Sequence, residues 1–244
     1  MPHLFDARER SAPAIAVQLL VVLAVLFGLL LGAGWLVTGP EADSDIEAAD
    51  GRLTTWFAAH RVAGLAAPSQ WVAALGSTGV VIGTAMVAAA VAGTTLRSWW
   101  PVRLLCAALA GELLVFLTVT SIIDRRRPPV SHLDAHLPPT SSFPSGHTAA
   151  SLCLYGGIAA VVCLATRSSW RWVVVVTTAV IVLAVATSRL YRGAHWPTDV
   201  VGSLVFAFLW LSACVHFLGP RPRSSGPAQI PRAVGTNGST GRAA

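Results

Sequence analysis

The chain has 244 residues, of which 54% are hydrophobic and only 11% charged, with a formal net charge of +6. Soluble domains carry about 25% charged residues, so this composition cannot coat a globular surface and points to the membrane. The positive charge does not argue for nucleic acid: all 17 basic residues are arginines beside apolar spans, where they orient a membrane protein.

Six apolar stretches follow in order, at 14–37, 71–93, 102–123, 148–165, 172–188 and 199–218. Each approaches the ~20 residues a helix needs to cross the hydrocarbon core. The first run exceeds the ~7–15 residues of a cleaved signal and reads as an anchor. The pattern predicts an all-α integral membrane protein, a bundle of six transmembrane helices over 14–219. A cytoplasmic tail (1–13) precedes it, and a Gly/Ser/Pro/Arg-rich, disordered cytoplasmic tail (220–244) follows. Between the first two spans, residues 50–70 are amphipathic but too polar to cross. They predict an interfacial helix with Trp56 and Phe57 turned toward lipid.

Arginine placement predicts the orientation. Arg8 and Arg10, Arg97 and Arg103, Arg167 and Arg171, and Arg221 and Arg223 fall in alternate segments, which the positive-inside rule assigns to the cytoplasm. The other side receives Glu41, Asp43, Asp45, Glu47 and Asp50, and two longer loops, 124–147 and 189–199. Arg125, Arg126, Arg127, Arg189 and Arg192 lie there against the rule, and anion binding is the expected reason.

Three segments on that side carry chemistry: Asp124-Arg125-Arg126-Arg127-Pro128-Pro129, Ser142-Phe143-Pro144-Ser145-Gly146-His147, and the run from Ser188 to Asp199. Pro144-Ser145-Gly146-His147 has the form of a helix start with Ser145 as N-cap, and such a start binds phosphate through free amides and the positive dipole end. Arg127 and Arg189 suit the equatorial oxygens of a phosphoryl group. His195 and Asp199 stand four apart with Pro197 between them, so the carboxylate can hold one ring nitrogen while the other acts as nucleophile. His147 can protonate a leaving alkoxide and then activate water. The alternatives are interfacial histidines satisfied by backbone and a first-turn carboxylate that complements the helix dipole.

These segments resemble the three signature motifs of the type 2 phosphatidic acid phosphatase superfamily: Lys-x6-Arg-Pro, Pro-Ser-Gly-His and Ser-Arg-x5-His-x3-Asp. The second and third are complete here, and the first keeps its Arg-Pro. The resemblance implies His195 as nucleophile, Asp199 as its orienting partner and His147 as acid/base. It also implies that Arg127, Ser145, Gly146 and Arg189 hold phosphate. Where the family has lysine, this chain has Thr120, whose hydroxyl offers a hydrogen bond without charge. Arg125 or Arg126 would make up that charge from the adjoining turn, or else serve lipid headgroups.

The expected substrate is a lipid phosphomonoester or pyrophosphate, of the phosphatidic acid, phosphatidylglycerol phosphate or polyprenyl pyrophosphate class. It would be cleaved through a phosphohistidine at an extracytoplasmic active site, without metal or cofactor. The competing readings are a lipid-phosphate binder or flippase with impaired turnover, and a vanadate-dependent haloperoxidase. The sequence carries no signal for an oligomeric state. His132, Asp134 and His136 read as a metal site or as part of a substrate-facing lid. Glu112, at mid-span, is a functional candidate or a carboxyl buried in the bundle. The four cysteines read as small buried hydrophobes, and Trp99, Trp100, Trp170, Trp172 and Trp196 as an aromatic belt.

Overall fold

A computed structural model describes residues 11–39, 44–135 and 137–220. The expectations for Arg8, Arg10, Glu41, Asp43, His136, Arg221, Arg223 and the two tails lie outside the described residues, apart from the short stretches at their inner ends. The helices are α1 (Ala12–Thr38), α2 (Ser44–Ala59), α3 (Ala66–Ala74), α4 (Thr78–Thr95), α5 (Trp100–Ile122), α6 (Gly146–Ala165), α7 (Arg171–Tyr191) and α8 (Pro197–Leu218). Six of them, α1 and α4–α8, are long and apolar enough to cross a membrane. The chain is a multi-pass, all-helical membrane protein.

Two boundaries differ from the sequence reading. The second span is not one helix over 71–93: α3 stops at Ala74 and the crossing helix starts afresh at Thr78. At the break a Cβ on Gly76 would lie 2.6 Å from the carbonyl oxygen of His147, so the backbone passes there only as glycine. Ser77 occupies the N-cap position of the new helix, but its hydroxyl donates back to the Ala74 carbonyl at 2.7 Å. Likewise, the expected helix over 50–70 is two helices, α2 and α3, joined through a 3₁₀ turn at Ala63–Leu65. Arg61 fixes the break, donating to the carbonyls of Tyr191 (2.8 Å) and Ser131 (2.6 Å).

The transmembrane helices pack around α6, which touches α4, α5, α7 and α8, while α1 closes the bundle against α5 and α8. The core is built from Leu23, Leu26 and Leu30 of α1, Leu104 and Val119 of α5, Cys153 of α6, and Phe206 and Trp210 of α8. Elsewhere the helices turn apolar side chains outward, as Val21 and Leu29 of α1 and Val176 and Val180 of α7 do, which suits a lipid solvent. Cys153 and Cys214 are buried as expected, but Cys106 is exposed, on the outward face of α5. Chain direction places 123–145, the start of α6, the end of α7 and the start of α8 at one end of the bundle. The connections 96–99 and 166–170 lie at the other end.

Candidate active site

The segment from 123 to 145 contains Pro128, Pro129, Pro138, Pro139 and Pro144, and its described residues form no helix. It is tied down by backbone pairing instead. The Ser142 amide donates to the Arg125 carbonyl (2.8 Å) and the Leu133 amide to the Arg192 carbonyl (3.1 Å). At the end of α7 the chain reverses through Gly193 at φ +74°, where a Cβ would meet Val130 at 2.9 Å. Glycine is required there both for the dihedral and for the space. Ala194 and His195 are thereby carried back over the start of α6.

A cavity of about 290 Å³ lies at this end of the bundle, and its wall includes His147, His195, Arg127, Arg189, Gly146 and Glu112. The His195 ring is buried, and its Nδ1 donates to the Ser142 carbonyl at 2.7 Å. Asp199 Oδ2 stands 3.5 Å from the same nitrogen. Nε2 is thus the ring nitrogen left for the cavity. Burial lowers the His195 pKa, and the hydrogen bond and charge of Asp199 pull it back up. Asp199 is fully buried at 0% exposure and occupies the first turn of α8, where its Oδ2 also accepts the Trp196 amide at 2.9 Å. Pro197 opens that helix, as the spacing predicts.

Arg127 donates to the Ala194 carbonyl at 2.8 Å. Burial lowers the pKa of its guanidinium, while Asp199 and Asp134 raise it; a guanidinium stays charged in either case. Arg189 is 5% exposed and paired with Asp134 at 3.1 Å, yet its buried Nε has no hydrogen-bond partner among the described residues. A buried, unpaired charged donor is costly, and an oxyanion in the cavity would satisfy it. The first amides of α6 have no intrahelical acceptor and add a second anion-binding element.

Not every predicted residue reaches the cavity. Ser145 occupies the N-cap position of α6, but its hydroxyl pairs with that of Thr148 (3.0 Å) and its amide donates to Ser203 Oγ (2.7 Å). The Thr120 hydroxyl donates to the Phe116 carbonyl of its own helix at 2.8 Å, and Thr120 is not part of the cavity wall. Arg125 is neither a stand-in for the missing lysine nor a headgroup ligand. It is buried, ion-paired to Asp199 and, at 2.7 Å, to Asp50 of α2. Thr198 joins the cluster, its amide donating to Asp50 at 3.0 Å. Trp196, expected only as a belt residue, lies 5.3 Å from the Arg125 guanidinium and donates to the Arg126 carbonyl at 2.8 Å. Arg126 itself is exposed.

Asp134 holds Arg192 at 2.6 Å as well as Arg189, and His132 is bonded to the Pro128 carbonyl at 3.1 Å. Asp134 therefore faces the protein, while His132 stays exposed at the surface. Among the described residues no group of three or more His, Cys, Asp or Glu is placed to hold a metal. Sequence reasoning named Asp50 only as outer-side charge and Asp134 only as part of a metal site or lid, and it missed the Ser142 carbonyl. The ion-pair partners of the two carboxylates lie far along the chain, and a backbone carbonyl leaves no side-chain signature.

The sequence model of the PAP2 superfamily matches residues 100–223, just over half of the chain. The chain belongs to the PAP2 superfamily. Among its relatives, the undecaprenyl-diphosphatase of Sulfolobus acidocaldarius is 34% identical over 90 residues, covering 37% of each protein. Phosphatidylglycerophosphatase B of Bacillus subtilis is 32% identical over 118 residues, covering 46% of this chain and 56% of that protein. The matched stretches thus span roughly a third to a half of these relatives' own lengths. In fold, the chain is similar to the crystal structure of a transmembrane PAP2-type phosphatidylglycerolphosphate phosphatase from Bacillus subtilis. The TM-score is 0.71 at 22% identity, with 83% of this chain and 98% of that one covered. The PAP2 match takes in all three motifs and the whole cavity-lining set from Leu109 to His195.

Proposed function

We propose that this protein is a metal-independent membrane phosphatase that hydrolyses a lipid phosphomonoester or pyrophosphate through a phosphohistidine at His195. One observation carries the reading: two histidines and two arginines line a single cavity, with His195 Nδ1 tied off so that only Nε2 is free. The phosphate sits between Arg127, Arg189 and the first amides of α6, including Gly146. His195 Nε2 attacks phosphorus, the N–P bond forms and the P–O bond to the lipid breaks. His147 gives its proton to the leaving oxygen. The phosphorylated ring carries positive charge, which Asp199, 3.5 Å from Nδ1, balances. His147, now neutral, takes a proton from water, the hydroxide attacks phosphorus, and the N–P bond breaks to release phosphate. Most of the rate enhancement comes from positioning and charge stabilisation.

A lipid substrate follows from where the cavity opens. Ile82 of α4 and Leu113 of α5 are both part of its wall and are 51% and 48% exposed, so the lip is apolar and faces the membrane. The related undecaprenyl-diphosphatase and phosphatidylglycerophosphatase B are named for lipid phosphates. By the arginine bias of the connections at the opposite end, the site is extracytoplasmic and both termini are cytoplasmic.

Release of inorganic phosphate from a panel of lipid phosphates by the detergent-solubilised protein tests the reading. His195→Ala is expected to abolish release while leaving lipid binding in place. A wild-type protein that binds these lipids and releases no phosphate would make it a binder.

A further inference from the structure

Phosphoryl transfer leaves one group in the cavity wall unused. Glu112 lies midway along α5, is 5% exposed, and lines the same cavity as the two histidines. Its carboxyl makes no hydrogen bond or ion pair among the described residues. The neighbouring wall is apolar: Leu109 and Leu113 of α5, and Val81 and Ile82 of α4. A carboxyl facing such a space without a partner is costly, and hydrocarbon placed against it leaves that cost in full.

Its depth suggests what would satisfy it. A Cβ at Gly146 would lie 2.8 Å from the Phe116 ring, so Phe116 marks the level of the α6 start. Glu112 is one helical turn, about 6 Å, further from the site end of the bundle. A lipid whose phosphate occupies the α6 start brings to that depth whatever lies a few bonds below the phosphate. In a glycerolipid those atoms are the glycerol oxygens and an acyl ester; in a polyprenyl or alkyl phosphate they are hydrocarbon. We infer that Glu112 is a specificity-determining residue that hydrogen-bonds the glycerol–ester region and selects glycerolipid phosphates over polyprenyl phosphates. An ionised carboxylate accepts from a glycerol hydroxyl, and a neutral carboxyl donates to an ester carbonyl. A site built to make such a bond discriminates against analogues that lack it.

This inference rests on the phosphatase reading, and the experiment separates the two. The full-length protein in detergent is assayed for kcat/KM by phosphate release from 1-lauroyl-lysophosphatidate, dodecyl phosphate and farnesyl phosphate, which are all monoesters. The wild type is expected to prefer lysophosphatidate by about ten-fold or more. Glu112→Leu should lower turnover of lysophosphatidate and raise that of the other two, bringing the ratio toward one. Glu112→Gln keeps a donor and an acceptor and should keep the preference. Equal kcat/KM values for the wild type, or a Glu112→Leu variant that changes all three substrates by one factor, would overturn the assignment and leave the phosphatase reading standing. No release by the wild type from any of them would overturn the assignment, and no release from a polyprenyl pyrophosphate as well would overturn the phosphatase reading. If Glu112→Leu does not fold, the wild-type ratio and its survival in Glu112→Gln decide the matter.

Discussion

With Nδ1 donating to the Ser142 carbonyl, the neutral His195 ring keeps its lone pair on Nε2, and burial favours that neutral state. In the proposed reaction the nucleophile is the unprotonated ring, so activity is expected to be lost as pH falls through the His195 pKa. That pKa lies below the ordinary imidazole value of about 6.5. The acid limb of the kcat/KM profile is therefore expected below that value, and His195 should stay competent in mildly acidic buffer. A pH–rate profile checks this, and an acid limb at or above 6.5 would contradict it. Arg189 gives a second prediction at this scale. Its unpaired Nε and its pairing with Asp134 need a planar, multi-donor head. Arg189→Ala should cost roughly 10²–10³ in kcat/KM, and Arg189→Lys should recover little of that. Steady-state kinetics on whichever lipid phosphate the wild type turns over will decide. The sequence made His147, His195, Arg127 and Arg189 of the cavity wall legible, because side-chain type and spacing carry that information. It could not assign Thr120, whose hydroxyl turns back to its own helix, a choice that depends on rotamer.

At the scale of helices, the start of α8 is held by α2, an element the sequence placed only at the interface. Asp50 of α2 binds Arg125 and the Thr198 amide, and Arg125 in turn binds Asp199. The carboxylate beside the His195 ring is thus fixed through a chain that crosses three segments of the protein. Removing Asp50 leaves Arg125 buried with one carboxylate partner in place of two. Asp50→Ala is expected to destabilise the protein by about 3 kcal/mol, the low end for breaking a buried pair, since Asp199 still holds the guanidinium. Thermal unfolding in detergent measures it, and an unchanged midpoint would remove α2 from the support of the site. Apolar run length located five crossing helices with ends within a few residues. It failed at α3–α4, where the run 71–93 reads as one span across Gly76-Ser77-Thr78-Gly79, the local signal at which the helix breaks. The close approach of Gly76 to the start of α6 was not legible, because it joins residues some seventy positions apart.

For the whole molecule, the arginines that break the positive-inside pattern are mostly drawn inward by the fold. Arg125 and Arg192 are buried in ion pairs with Asp50, Asp199 and Asp134, Arg127 and Arg189 line the cavity, and only Arg126 of the five is exposed. Charge that is neutralised or buried in this way adds little to the retention of a loop in the cytoplasm. The orientation signal then falls to the opposite end, where Arg97, Arg103, Arg167 and Arg171 flank the 96–99 and 166–170 connections. On the proposed orientation, the same neutralisation lets one end of the bundle carry so many cations across the membrane. In a cysteine-free background in intact cells, a membrane-impermeant maleimide should label a cysteine replacing exposed Ala135 at the site end. It should reach one replacing exposed Ser169 only after the cells are opened. Labelling of the Ser169 replacement in intact cells would turn the bundle over. The phosphate would then have to be presented from the cytoplasmic leaflet.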